Sequence, residues 1–384
     1  MEIQTNDPMN RWTTKKILTT LIILVLIGAF IAIVYFVSRT TNTDTVSKSD
    51  RREQKIEERR NGLSKNDTPT DTISTDTNTD TSEDSTPVTN PVSTPETSDT
   101  NPVPPATTGN SNTVSKNESY SVTKYSGIVY GTESGVTLTM DIYVPKGMTG
   151  TIPAVLFVHG GGFHGGSANG VADESEMLAK HGVVVAAVNY RLSTTAIFPA
   201  QVYDVKGAIR YLKAHASTYQ IDTNNVFALG ESAGGVLASL LGVTIDNTSL
   251  EGTTGGNTGY SSSVKGVINI SGSYVASIVD TMSNGILGAI EKEIGCSPVP
   301  SATCKSAYEA LSPETYLSSG DVPYILLHGD QDKSVPVIQA TTLNTKMKNA
   351  GITSEVHIAA GFGHVTGILN HYMSEVVDFL NRNS

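Results

Sequence analysis

The chain has 384 residues, 38% of them hydrophobic and 16% charged, and a formal net charge of -11. That length supplies one sizeable core without requiring every segment to join it. The acidic balance, with no Lys/Arg cluster in the second half, excludes a duplex nucleic-acid partner, which needs clustered cations against its phosphates; a neutral or small substrate fits better.

Residues 1–16 read as a short amino-terminal tail. Ile17 to Val37 carries no charge and is long enough to cross roughly 30 Å of hydrocarbon, so a single transmembrane helix is expected over 17–37. A cleaved leader is the competing reading, but this apolar run is longer than a typical leader's and no Ala-x-Ala pattern follows it. Arg11, Lys15 and Lys16 flank one end and Arg39, Lys48, Arg51 and Arg52 the other, so charge alone does not decide orientation. A short tail, one anchor and a long polar tether suit a catalytic domain held outside the cell by a single-pass signal-anchor in the cell membrane. That tether, residues 38–119, is rich in Ser, Thr, Asn, Asp and Pro. It cannot bury enough apolar surface to offset its conformational entropy, so a disordered linker is expected, with a reach of about 50 Å if it behaves as a coil. Asp50 to Arg60 within it reads as a solvated charge run or a short charge-laced helix.

From Tyr120 short apolar runs alternate with helical patterns over residues 120–384, the mark of one α/β domain with a mostly parallel sheet and helices on both faces. The predicted strands are Val136 to Val144, Pro153 to Val158, Val183 to Val188, Val226 to Leu229, Gly266 to Ile270, Tyr324 to Leu327 and Glu355 to Ile358. Most are apolar on both faces, as strands between two helix layers must be. Helices are predicted over Ala200 to His215, from Val236 to Leu241, over Ile286 to Ile294 and from Ile368 to Asn381.

After the strand ending at Val158 stands His159-Gly160-Gly161-Gly162-Phe163. Consecutive glycines bare their amides, and those of Gly161 and Gly162, with that of Ala233, can form an oxyanion hole. A phosphate loop would need Lys followed by Ser or Thr, which is absent here. His159, at the strand end, is read as bracing the loop. Gly230-Glu231-Ser232-Ala233-Gly234 lies between a predicted strand and a helix, the setting in which G-x-S-x-G holds a serine on a sharp turn. The glycines have a steric reason: strand and helix nearly touch two residues either side of Ser232, where a Cβ would clash.

Taken together, HGGGF at His159 to Phe163, NYRL at Asn189 to Leu192, FPA at Phe198 to Ala200, GESAGG at Gly230 to Gly235 and HGDQDKSVP at His328 to Pro336 resemble the α/β-hydrolase esterases related to hormone-sensitive lipase and the small carbohydrate-esterase-like hydrolases. The resemblance runs from about Tyr120 to the end. It implies carboxylic ester substrates and a Ser-Asp-His triad in that chain order. Asp332 matches the second Asp of the family pattern H-G-x-x-D-x-x-V-P and would fix the imidazole tautomer; Asp330 is the alternative, as a turn-capping carboxylate. Of eight histidines, only His364 lies on a loop directly beyond the last predicted strand, flanked by Gly361 and Gly363. The implied chemistry is attack by Ser232 on an ester, His364 as base, an acyl-enzyme, and hydrolysis by water, with no cofactor and no metal. A peptidase or amidase on the same triad and a non-catalytic surface binding domain are the rival readings.

Two insertions can shape substrate choice. Asp246 to Ser263 is polar and reads as a mobile loop; Tyr274 to Asp321 holds a helical pattern and the only two cysteines, Cys296 and Cys304, and is the lid candidate. The cysteines are either free or bonded, a disulfide fitting a domain outside the cell. Few aromatics and no large cap domain favour short-acyl esters, small or polymer-linked.

Overall fold

A computed structural model describes residues 113–384. The predicted tail, the span over 17–37 and the linker up to residue 112 lie outside the described residues, and among those described no helix is long and apolar enough to cross a membrane.

Eight strands form one sheet: β1 (Val122–Glu133), β2 (Val136–Pro145), β3 (Ile152–Val158), β4 (Val184–Val188), β5 (Ile221–Glu231), β6 (Val267–Ile270), β7 (Tyr324–Gly329) and β8 (Ser354–Ala359). Their order is β1-β2-β4-β3-β5-β6-β7-β8. β2 runs antiparallel to β1 and β4, while all pairings from β4 through β8 are parallel. Every residue of β3, β4, β6 and β7 is buried, which explains why they are apolar apart from Asn269 and His328.

The pleat divides the apolar side chains between two cores. Ala154, Leu156 and Val158 face one layer, with Val205 of α2 (Ala200–Ala214), Leu237 of α3 (Ala233–Val243) and Leu343 of α6 (Val337–Asn349). Val155 and Phe157 face the other, with Leu178 of α1 (Ala172–Ala179) and Val376 of α7 (Met373–Asn383). Between β6 and β7 the chain builds α4 (Asn284–Ile294) and α5 (Lys305–Ala310), joined by a disulfide between Cys296 and Cys304. α4 carries its own start and stop signals: Ser283 Oγ accepts from the Ile286 amide, and Gly295 ends the helix in the left-handed conformation.

Four expectations are corrected. β1 is absent from the predicted strands; it is an edge strand, half exposed, interrupted by glycines and bulged between Tyr125 and Ile128, so it shows no clean alternation. Residues 113–119, assigned from composition to the linker, dock on the domain. Val114 is 2% exposed, its amide donates to Asn381 Oδ1 at 2.8 Å and its carbonyl accepts from Asn381 Nδ2 at 2.8 Å, and Lys116 pairs with Asp378 at 2.7 Å. Third, the polar insertion from Asp246 is anchored, because two cations buried on α2 need a partner: Glu251 meets Lys206 Nζ at 3.1 Å and Arg210 Nη1 at 2.5 Å, and Arg210 also donates to the Thr254 carbonyl. The last predicted helix is broken at Tyr372 into Ile368–His371 and α7.

Candidate active site

β5 ends at Glu231 and α3 begins at Ala233, so Ser232 alone makes the turn, with φ 52° and ψ -120°. A non-glycine residue held there is strained, and the packing shows why the chain cannot relax. A Cβ on Gly230 would collide with the Gly234 carbonyl, and one on Gly234 with the Val158 carbonyl. A Cβ on Gly160 would come within 3.2 Å of the Ser232 Cβ, so the glycine loop runs directly alongside the serine.

Ser232 Oγ lies 2.8 Å from His364 Nε2, and His364 Nδ1 lies 2.7 Å from Asp332 Oδ2. Asp332 Oδ1 accepts from the amides of Ser334 at 2.9 Å and Val335 at 3.0 Å, which fixes the carboxylate plane. A carboxylate only accepts, so the His364 proton resides on Nδ1 and the Nε2 lone pair faces the serine hydroxyl. Burial pushes the Asp332 carboxyl up, but hydrogen bonds from His328 and His364 and from the Val335 amide outweigh it and hold the group well below the usual carboxylate range.

The structure thus brings Ser232, Asp332 and His364 together and gives Asp330 a separate place: its Oδ1 accepts from the Gly361 amide at 2.7 Å, tying down the loop that carries His364. His159 makes no hydrogen bond to the serine; its Nδ1 donates to the Gly160 carbonyl at 2.7 Å. Its ring stacks on Tyr190 at 4.4 Å, Tyr190 Oη donates to its carbonyl, and burial lowers its pKa. One neighbour was missed from sequence: His328, fully buried, whose Nε2 donates to the Val335 carbonyl at 2.8 Å and sits 3.3 Å from Asp332 Oδ2. A histidine closing a strand four residues before the acid, in HGDQD, was the available signal.

Among the described residues, no group accepts from the amides of Gly161 or Gly162, whose φ values are 118° and 60°, and the Ala233 amide is the first of a helix, without an intrahelical partner. These three positions border the two cavities that meet at Ser232. One is narrow and apolar, lined by Val236, Met282, Ile286, Ala289 and Ile290 together with Gly162 and Ala233. The other, on the His364 side, is a wider cleft bordered by Gly161, His164, Ser167, Glu231 and Ser334. Ile286 and Ala289 of α4 separate the two, so the lid candidate walls both.

A family model described as BD-FAE matches residues 140–347, more than half of the chain. The chain belongs to the BD-FAE family. Its matched region takes in the glycine loop, Ser232 and Asp332 and stops short of His364. The BD-FAE chain is 32% identical over 195 residues, 50% of its length and 44% of the relative's, to the Mycobacterium tuberculosis protein named "Probable carboxylic ester hydrolase LipM". In structure it is similar to a truncated form of a carbohydrate esterase from gut microbiota, with a TM-score of 0.62 and 27% identity over 70% of this chain and 99% of that one. It is also similar to a Thermogutta terrifontis esterase phosphonylated by sarin, with a TM-score of 0.56 and 25% identity, covering 68% and 94%. The chain spans about half the length of the curated relatives it matches.

Proposed function

We propose that this chain is a serine esterase that cleaves short-acyl carboxylic esters through an acyl-enzyme. The observation that carries the reading is the continuous hydrogen-bond chain from Ser232 Oγ through His364 to Asp332. Ser232 Oγ attacks the ester carbonyl while His364 Nε2 takes its proton, and the amides of Gly161, Gly162 and Ala233 receive the developing oxyanion, each contributing about 3 kcal/mol. His364 then protonates the leaving alcohol, and in the second half activates water to release the acid. Asp332, which stays ionised far into the acid range, orients the imidazole and stabilises it when charged. The acyl group takes the apolar pocket, whose small volume and walls of Met282, Ile286 and Ile290 favour acetate to butyrate; the names of the relatives support ester substrates.

The test is hydrolysis of a p-nitrophenyl ester series, acetate to palmitate, by the full chain and by Ser232→Ala. Fast turnover of acetate and butyrate, lost in the variant together with labelling by a fluorophosphonate, supports the reading. A folded protein inactive on every ester but active on amides moves the peptidase reading ahead.

The span over 17–37 and the tether after it, read from sequence, further lead us to place the protein in a membrane with this domain on the outer side; the Cys296–Cys304 bond fits an oxidising compartment. Release by alkaline carbonate without detergent, or protection of the domain from protease added to intact cells, would overturn that placement.

A further inference from the structure

Glu231 stands between β5 and Ser232, and it borders the cleft on the His364 side. Neither of its carboxyl oxygens hydrogen-bonds to any described residue. Glu251 is tied to Lys206, Arg210 and Ser262 and Asp204 to Arg191, while Glu293, also without a partner, is fully enclosed; Glu231 differs in bordering the cleft. Burial, with Glu174 of α1 adding like charge, pushes the Glu231 carboxyl up to about 7. The titratable groups sharing the cleft are His364 from the loop after β8 and His159 and His164 from the glycine loop, so no fixed cation from any wall compensates it.

With no protein donor and open to the cleft, this carboxylate can take its hydrogen bond from a ligand that enters there. The chemistry of the site says which half of the ester can do so. His364 Nε2 must reach the leaving oxygen, so the alcohol half lies on the His364 side, in the cleft that Glu231 borders, while the acyl half takes the apolar pocket. That cleft also offers Ser167, Ser334 and His164, and none of the described residues bordering it is a Phe, Tyr or Trp that would cage a cation. The matching ligand group is a neutral hydroxyl.

Resting on the esterase reading, we propose that Glu231 is a specificity-determining residue whose carboxylate accepts a hydrogen bond from a hydroxyl of the leaving alcohol, selecting esters of polyhydroxylated alcohols over esters of plain ones. A charge-assisted hydrogen bond of this kind is worth about tenfold or more in selectivity.

The experiment compares glycerol monoacetate with propyl acetate, which share acyl group and carbon skeleton and differ only in the free hydroxyls. Acetate release by the full chain gives kcat/KM for each between pH 5 and pH 9, and their ratio cancels any pH dependence common to the two esters. In the unsubstituted protein the ratio should rise as pH increases through about 7, where the carboxyl ionises. In Glu231→Gln the ratio should fall at least tenfold and lose its pH dependence, and Glu231→Asp should keep part of both. A Glu231→Gln protein that slows on both esters equally, with the ratio unchanged, would show a purely structural role and overturn the proposal. So would a ratio that is flat with pH in the unsubstituted protein, a readout that stands even if the variants fail to fold. A larger Glu231-dependent preference for acetylcholine over 3,3-dimethylbutyl acetate would assign the residue to a cation instead. If the unsubstituted protein cleaves no ester, p-nitrophenyl acetate included, the esterase reading itself has failed; activity with a flat ratio removes Glu231's role alone.

Discussion

Asp332→Asn tests how much of the proposed chemistry rests on one proton position. The two oxygens of Asp332 face different donors: Oδ1 takes the Ser334 and Val335 amides, and Oδ2 faces His364 Nδ1 at 2.7 Å with His328 Nε2 at 3.3 Å. An asparagine must put its NH₂ on one side. Backbone amides cannot become acceptors, whereas His364 can change tautomer, so the NH₂ replaces Oδ2 and the imidazole proton moves to Nε2. The base then points an N–H at Ser232 and has no lone pair for it. The carboxylate's attraction for an imidazolium 2.7 Å away is also lost, about 6 kcal/mol at an effective dielectric near 20. Allowing for partial compensation, kcat/KM on p-nitrophenyl acetate should fall roughly 10³- to 10⁴-fold. Asp330→Asn, which disturbs the contacts with the Gly361 amide and the Gln331 side chain but none to the triad, serves as the control and should lose less than about tenfold. A loss below about tenfold for Asp332→Asn, with an unchanged circular dichroism spectrum, would refute the tautomer argument.

Three other outcomes are expected. Ala289 Cβ lies 3.3 Å from where a Cβ on Gly162 would stand and walls the apolar pocket, so Ala289→Leu should fill it and lower the butyrate-to-acetate rate ratio at least about tenfold, read with the two p-nitrophenyl esters. Both carboxyl oxygens of Glu293 are buried without a hydrogen-bond partner, and burial raises its pKa to about 9. The folded state therefore holds a proton the unfolded chain releases above its ordinary value of 4.5, and stability should decline as pH rises from there toward 9; Glu293→Gln should stabilise the fold by about 1–3 kcal/mol at pH 8, read as a higher thermal midpoint, and by much less at pH 4.5. An equal shift at both pH values would refute that account. Replacing Cys296 and Cys304 by Ser removes a loop constraint worth about 2.5 kcal/mol, measured by denaturant unfolding, and should raise KM because α4 is held less firmly over the site.

What was legible in the sequence was whatever depends on local pattern. Most of the strands announce themselves as apolar runs because both faces of the sheet centre are covered, and Gly230 and Gly234 announce the Ser232 turn because no other residue fits the close approach. His364 was found by its place after the last strand. What stayed hidden depends on partners far along the chain. Val114 docks through the side-chain amide of Asn381, and no periodicity near Val114 records that. The insertion at Glu251 looks polar and loose until Lys206 and Arg210 are seen buried beneath it. His328 opens HGDQDKSVP and Glu231 stands inside GESAGG, each near a strand end, where alternation along the strand tells which face they take but not what they meet there. The hydrogen bond of the one to Val335 and the place of the other at the cleft emerge only from the three-dimensional packing.

The docking of residues 113–119 also fixes the direction from which the domain is approached. Ser115 bonds to the carbonyl of His181, just ahead of β4, and Asn381 closes the last helix, so the chain enters the domain beside the ends where its parallel strands begin. Ser232, Asp332 and His364 all lie just past the ends where β5, β7 and β8 finish. Entry and site are therefore at opposite poles. A long polymer can therefore be laid across the mouth of the cleft without crossing residues 113–119.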